Sequence, residues 1–392
     1  MSCSPQQDSK PSIDTVRGQQ INCVHGLPRP IQNEDLGPRL IYGSTRVPMN
    51  LIVLSVGFVF GLAFVGFLYQ WLGARRDRLR FTGDGRWVDI GGGRRLYLIE
   101  KGTADQGHTV IFESGIAATN LNWCLIQQAV SRFTATASYD RGGLGWSSPC
   151  RSARTPANIA SELHAMLERA VIRPPYILVG HSFGGLVMRR FALSYPDDVA
   201  SLVLVDPMRC DEWPPVNPSR QAEVDLGNRL SGYAIPIAHM GLARLAVTSL
   251  LRRSGRASRL LAGAGGHGAR HVLGRVHEEI GKMPREVWPV VAAHWSRPDF
   301  YAGMRHHVKS VPDSVREMLN AEPIRSIPVL VLTPDKSKPL SDECLGRIGE
   351  NVRQVIVPQS GHWIHLDQPD RVIDSLRTVV EEACSQPLAV TT

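Results

Sequence analysis

At 392 residues the chain can hold one large domain with appendages or two domains, and its 43% hydrophobic content is that of a globular protein. Seven cysteines, scattered and without a C-x-x-C pair, argue against a disulfide framework or a zinc site. A net charge of +8 admits nucleic acid or an anionic membrane as partner, and the placement of the apolar residues points to the membrane and to no nucleic acid.

Residues 1–48 are polar, rich in Pro, Gln, Asp and Asn, and lack sustained periodicity, so they read as a disordered tail. Translation starting at Met49 would remove that tail, which an intact mass decides. Leu51–Leu68 is a run of 18 residues without a charge, and the apolar character continues to Leu72, the length needed to cross a bilayer core. Tyr69 and Trp71 fit the interface, and Arg75, Arg76, Arg78 and Arg80 follow at once. Residues 49–72 are therefore expected to be a single-pass membrane anchor. The basic residues after it outnumber Arg39 and Arg46 before it, which places the C-terminal domain on the cytoplasmic side.

The folded part begins near residue 81. Arg86–Gly102 predicts two strands around a Gly-rich hairpin, His108–Gly115 a buried strand, and Asn120–Val130 a helix. Phe133–Ser147 predicts a strand and a Gly-rich loop, and Thr155-Pro156 opens a helix to Ala170 with Thr as N-cap. Tyr176–Val179 and Ser201–Pro207 predict strands, with a helix from Leu186 to Tyr195 between them. Arg209–Ser326 carries helical stretches and no strong strand run, so it is expected to form a helical cap over residues 209–326. Ile327–Asp335 and Arg353–His362 resume the strands, and Pro369–Cys384 is a closing helix. Strands alternating with helices predict an α/β, doubly wound, mostly parallel sheet, its core split into residues 81–208 and 327–386.

Within this frame, Gly180-His181-Ser182-Phe183-Gly184 fits G-x-S-x-G between a strand and a helix. That context gives a nucleophile elbow, in which a strained turn lifts the serine hydroxyl clear of the sheet edge. The flanking glycines are required because a Cβ would clash with the packed strand and helix. A serine hydroxyl needs a base to take its proton and a carboxylate to orient that base. Of 13 histidines, His362 follows the last predicted strand at the same sheet edge, while its competitor His365 lies nearer the helix. Two carboxylates compete for the acid, Asp335 being the one expected and Asp206 the alternative. Asp335 follows the strand Val329–Leu332 and gives the chain order Ser, Asp, His, whereas Asp206 ends the preceding strand and could reach the same histidine. The oxyanion donors are expected to be the backbone N–H groups of Phe183 and of Ile116.

The segments FESG, YDRGGLGWS, GHSFGG, LVLVDP and SGHWIHLDQP occur in the order seen in the α/β-hydrolase superfamily. They resemble the subgroup with a YDRxGxGWS loop after the fourth strand, and the resemblance covers about residues 86–384. It implies an eight-stranded sheet with a cap between the sixth and seventh strands, Ser182 as nucleophile and His362 as base. Two positions depart from the pattern. The usual acid loop reads G-x-x-D, but Ser337 stands where that Asp would fall, and the usual HG oxyanion motif is Ser114-Gly115.

The function expected is a membrane-anchored serine hydrolase that cleaves a carboxylic ester through an acyl-enzyme on Ser182, with no metal or cofactor. Acyltransferase or thioesterase chemistry uses the same residues, and an inactive hydrolase-like binding or signalling protein is the alternative of another class. Relatives with haloalkane dehalogenase or epoxide hydrolase chemistry use a carboxylate at the elbow, where this chain has Ser182. The substrate is expected to be a small-molecule or lipid-like ester. The stretch Met240–Leu261, with Arg244, Arg252, Arg253, Arg256 and Arg259, is expected to turn a basic cap edge toward an anionic bilayer. A linker of about a dozen residues after Leu72, at most roughly 45 Å when extended, would keep the domain near the headgroups.

Overall fold

The computed structural model describes residues 48–103, 107–251 and 278–385. Two compact units are distinguished, Met1–Ile52 and Val53–Thr392, and of the first only residues 48–52 are described. The disordered-tail expectation therefore lies outside the described residues.

Eight strands form one sheet: β1 (Arg86–Gly91), β2 (Arg94–Lys101), β3 (Thr109–Glu113), β4 (Ala135–Asp140), β5 (Tyr176–His181), β6 (Val199–Val205), β7 (Val329–Pro334) and β8 (Val352–Val357). Their spatial order is β1-β2-β4-β3-β5-β6-β7-β8. The pairs β1/β2 and β2/β4 are antiparallel and the rest parallel, as a hairpin leading into crossover connections dictates. The chain leaves β3 toward β4 on one side and returns to β5 on the other. This reversal opens a crevice beyond the carboxyl ends of β3 and β5, where open α/β sheets bind ligands.

The central strands β3, β5 and β7 are buried along their whole length, because helices cover both faces of the sheet. The period of two sorts their side chains. Leu178, Leu202, Leu204 and Val331 pack on the face covered by helices Pro156–Ala170 and Phe183–Ser194. Ile177, Val179, Val203 and Leu332 pack on the other, against Cys124–Val130 and Pro369–Ser385. Each such side chain is nearly inaccessible, and its burial is worth about 1.5–3 kcal/mol. In chain order the helices among the described residues are α1 (Met49–Phe81), α2 (Cys124–Val130), α3 (Pro156–Ala170), α4 (Phe183–Ser194), α5 (Gln221–His239), α6 (Leu242–Leu251), α7 (Trp288–Trp295), α8 (Pro298–Lys309), α9 (Val311–Leu319), α10 (Asp342–Ile348), α11 (Ile364–Asp367) and α12 (Pro369–Ser385).

Most expected elements fall where the pattern put them, with instructive differences. α4 starts at Phe183 rather than Leu186, directly after the elbow serine. Thr155 precedes Pro156 in an extended conformation, but its hydroxyl does not cap α3. The short helix α10 had no counterpart in the sequence reading. Between β6 and β7, where the cap was expected, the described residues form α5 to α9, with α8 held to α5 in part by Arg305 Nε donating to Asn228 Oδ1 at 2.9 Å.

The largest difference is at the N-terminal side. α1 does not stop near Leu72 but continues to Phe81, so the expected extended linker is helical. α1 is long and apolar enough to cross a membrane, and no residue of its most apolar window is buried. Its later turns dock on the cap. Arg244 on α6 is buried, donating to Gln70 Oε1 at 3.0 Å and pairing with Asp77 Oδ2 at 2.6 Å. Arg244 thus leaves the bilayer-facing basic edge expected of it, because Asp77 on α1 supplies a partner. Arg252, Arg253, Arg256 and Arg259 lie outside the described residues.

Candidate active site

Ser182 stands between β5 and α4 with φ 53° and ψ −119°, a backbone conformation that costs a side-chain-bearing residue about 1–3 kcal/mol. Neighbouring backbone holds it there. The Ser182 N–H donates to the Val205 carbonyl at 3.1 Å, and the Ser182 carbonyl accepts from Gly185 and Met208 N–H, both at 3.0 Å. The flanking glycines are needed for space. A Cβ at Gly180 would lie 2.5 Å from the Gly184 carbonyl oxygen, and one at Gly184 would lie 2.6 Å from the Glu113 and Ser114 oxygens. The turn is therefore clamped between β3, β6 and its own helix.

The structure brings Asp206, not Asp335, to the histidine. His362 Nδ1 lies 2.7 Å from Asp206 Oδ2, both side chains half-buried. Asp206 has φ 41° and its N–H donates to the Leu332 carbonyl at 2.8 Å, so the chain turns sharply at the end of β6. Asp335 spends its carboxylate on the backbone, accepting from Gln359 N–H at 2.7 Å and Ser360 N–H at 3.2 Å. Those donors hold the Asp335 carboxyl below the usual carboxylate range. The physical reason for the exchange is local. The turn that follows β8 presents the Gln359 and Ser360 N–H groups just before His362, and the Asp335 carboxylate accepts from both.

His365 is fully buried, with its ring 4.6 Å from Trp123 and 4.5 Å from His181. Burial pushes its pKa down to about 3, so it stays neutral and packs as an aromatic. His181, next to the elbow serine, connects the two halves of the site. Its Nε2 lies 2.8 Å from the His362 carbonyl oxygen, a bond that ties the elbow strand to the loop carrying His362. Burial also holds the His181 ring well below the usual imidazole range, followed by the nearby His365 and His362.

The Gly115–Ile116 turn passes over the elbow: a Cβ on Gly115 would be 3.6 Å from Ser182 Cβ. Sequence reasoning missed what fixes this turn. Arg141 Nη2, fully buried, donates to the Gly115 carbonyl. That carbonyl belongs to the same peptide unit as the Ile116 N–H, and a trans peptide points its two polar groups in opposite directions. Arg141 therefore sets the direction of the Ile116 N–H and polarises it. Its Nε lies 3.4 Å from Glu113 Oε1, and its guanidinium sits 5.4 Å from the Phe183 ring centroid. Burial raises the Glu113 carboxyl and lowers the Arg141 guanidinium; Tyr139 donates to Glu113 Oε2. Removing one member would leave the other's charge buried alone, at a cost of about 3–5 kcal/mol. The signal was in the sequence as the Arg of YDRGGLGWS, but nothing local marks it as buried.

Asp140, from the same segment, accepts from Asn120 N–H at 3.0 Å and Trp146 N–H at 2.9 Å, and burial raises its pKa to about 6. Among the described residues no three His, Cys, Asp or Glu side chains converge as a metal site.

A model of the alpha/beta hydrolase family matches residues 110–375. Over 101 residues the chain is 32% identical to the uncharacterized protein YqjL of Bacillus subtilis, covering 26% of this chain and 40% of that protein. Over 106 residues it is 31% identical to the (lyso)-N-acylphosphatidylethanolamine lipase of Homo sapiens, covering 26% of this chain and 30% of that protein. The chain thus spans less than half the length of the curated relatives it matches. Among solved structures, a thermophilic esterase from Thermogutta terrifontis aligns with a TM-score of 0.55 at 19% identity, over 77% of this chain and 99% of that one. The epoxide hydrolase CorEH aligns with a TM-score of 0.56 at 15% identity, over 76% of this chain and 98% of that one. Those likenesses establish the fold, which esterase and epoxide hydrolase chemistries share. With its matched segment covering well over half of its length, the chain belongs to the α/β-hydrolase family.

Proposed function

We propose that the chain is a membrane-anchored serine hydrolase that cleaves a carboxylic ester, with Ser182 as nucleophile, His362 as base and Asp206 as the acid. The observation that carries this reading is the 2.7 Å contact between His362 Nδ1 and Asp206 Oδ2 beside a serine in a strained elbow. Asp335, the acid first expected, is left out because its carboxylate already serves two backbone donors. In the reaction, His362 takes the Ser182 proton as Oγ attacks the ester carbonyl, and Asp206 holds the imidazole in the tautomer that allows it. The tetrahedral oxyanion accepts hydrogen bonds from the N–H groups of Phe183 and Ile116, and its collapse passes the proton to the leaving alcohol. Water, deprotonated by His362, then releases the acid from the acyl-enzyme and restores Ser182.

A carboxylic ester fits the serine nucleophile, and the names of an esterase of the same fold and a lipase of related sequence support that substrate class. The anchor is α1, supported by its exposed apolar window; the arginines that follow support a cytoplasmic catalytic domain. A fluorophosphonate probe tests the reading: it should label wild-type protein at Ser182 and leave Ser182→Ala unlabelled. Labelling elsewhere, or none, would overturn it.

A further inference from the structure

Single exposed apolar side chains are ordinary on a protein surface; a contiguous group is not. The α5–α6 elbow carries such a group: Tyr233 (68% exposed), Ile237 (41%), Met240 (38%), Leu242 (49%) and Leu245 (50%). It lies against α1 at a definite height. A Cβ on Gly66 would overlap the Met240 carbonyl oxygen, and one on Gly241 (φ 73°) would lie 2.7 Å from the Gly66 oxygen and 3.0 Å from the Tyr69 ring. Both glycines are needed for the backbones to meet.

We propose that this elbow is a second contact with the bilayer, seated among the outer acyl chains beside the anchor. The inference rests on the reading of α1 as a membrane anchor. Gly66 is two residues before Leu68, the end of the charge-free apolar run, or about 3 Å of helix rise. The elbow tip therefore meets α1 at the edge of the hydrocarbon, at the level of Tyr69 and Trp71. From there α6 climbs beside α1, away from the apolar run, as Arg244 meets first Gln70 and then Asp77. Apolar residues of the elbow thus lie level with the last apolar turn of α1. The exposed Arg75 and Arg76 come a turn later, at headgroup height.

The clamp explains why the elbow cannot avoid the lipid. Arg244, Asp77 and Gln70 form a largely buried polar set, and lifting the elbow away from α1 would break that ion pair and strand its charges. A helix tip held rigidly at the acyl boundary with five exposed apolar side chains fits a lipid surface, because insertion removes those side chains from water.

The test uses the full chain reconstituted in phosphatidylcholine vesicles that contain a lipid with a diazirine midway along one acyl chain. After irradiation, adducts are mapped by peptide mass spectrometry. Residues 237–245 should carry adducts within about threefold of those on residues 53–68, and well above those on the exposed Val355 and Ile356 of β8. Labelled α1 with an unlabelled elbow would overturn this inference and leave the anchor standing. No label on either would overturn both.

Discussion

The loops after β6 and β7 look alike in sequence, an apolar strand running into an aspartate, yet they do different things. Asp206 turns out of β6 with φ 41° and meets the His362 ring. Asp335 continues the line of β7, its N–H donating to the Val357 carbonyl at 3.1 Å, and takes the N–H groups of Gln359 and Ser360. One carboxylate holds the ring of the proposed base and the other holds the backbone that delivers it. Because the ring is served from β6, the aspartate after β7 is free to shape a turn in which Gln359 itself sits at φ 56°.

Substitutions separate the two roles. The largest effect should come from Asp206→Asn: kcat on a short p-nitrophenyl ester falls about 10⁴-fold with little change in thermal midpoint, because Asn leaves the imidazole in the wrong tautomer. A loss under tenfold would return Asp335 to consideration. Next comes Arg141→Lys, on the opposite wall of the site. Lysine keeps the charge near Glu113 but lacks the fork that reaches the Gly115 carbonyl, so kcat should fall roughly ten- to a hundredfold with KM nearly constant. A rise in KM alone would mean that Arg141 does not aim the Ile116 N–H.

Asp335→Asn should cost less than about tenfold in kcat, since neutral Asn still offers one acceptor to the turn. Because the folded-state pKa of Asp335 is depressed, its contribution to stability is present above the unfolded carboxylate range and lost on acidification. The variant should accordingly show a weaker loss of urea midpoint between neutral pH and pH 4, and an unaltered loss would remove the backbone-holding role. The smallest effect belongs to His365. Folded it titrates near 3 against an ordinary 6.5, so between those values the unfolded chain binds a proton that the folded chain refuses, and stability falls with pH. His365→Phe should reduce that slope by up to about 1.4 kcal/mol per pH unit, read from urea unfolding at pH 7 and pH 5, with the proposed ester hydrolysis at pH 7 largely retained.

The elbow was legible because its signals are local: a β-branched run, two glycines and a helical pattern within a short span. The β-strands were legible for the same reason. The carboxylate partner of His362 was not, because both aspartates end apolar strands, and the choice depends on how each loop bends toward a residue far along the chain. Arg141 was illegible for a related reason. Its burial is set by Glu113, Gly115 and Phe183, which come from other strands and turns. The end of α1 failed differently. Loss of apolar character after Leu72 reads as the end of the helix, but after Gly73 the run ARRDRLRF holds mostly good helix formers, and the next glycines are Gly83 and Gly85. Leaving a membrane and leaving a helix are separate events.

That continuity changes how the domain moves. A flexible strap would let the domain tumble and sample every azimuth above the surface. α1 instead runs unbroken for 13 residues past Leu68, about 20 Å, and is bolted to the cap by Arg244 and Asp77. On the proposed membrane reading, the catalytic domain has one standing height and one leaning direction. Its encounters with a bilayer-borne ester then become a planar search by lateral diffusion, in which the orientation of the enzyme is settled before the substrate arrives.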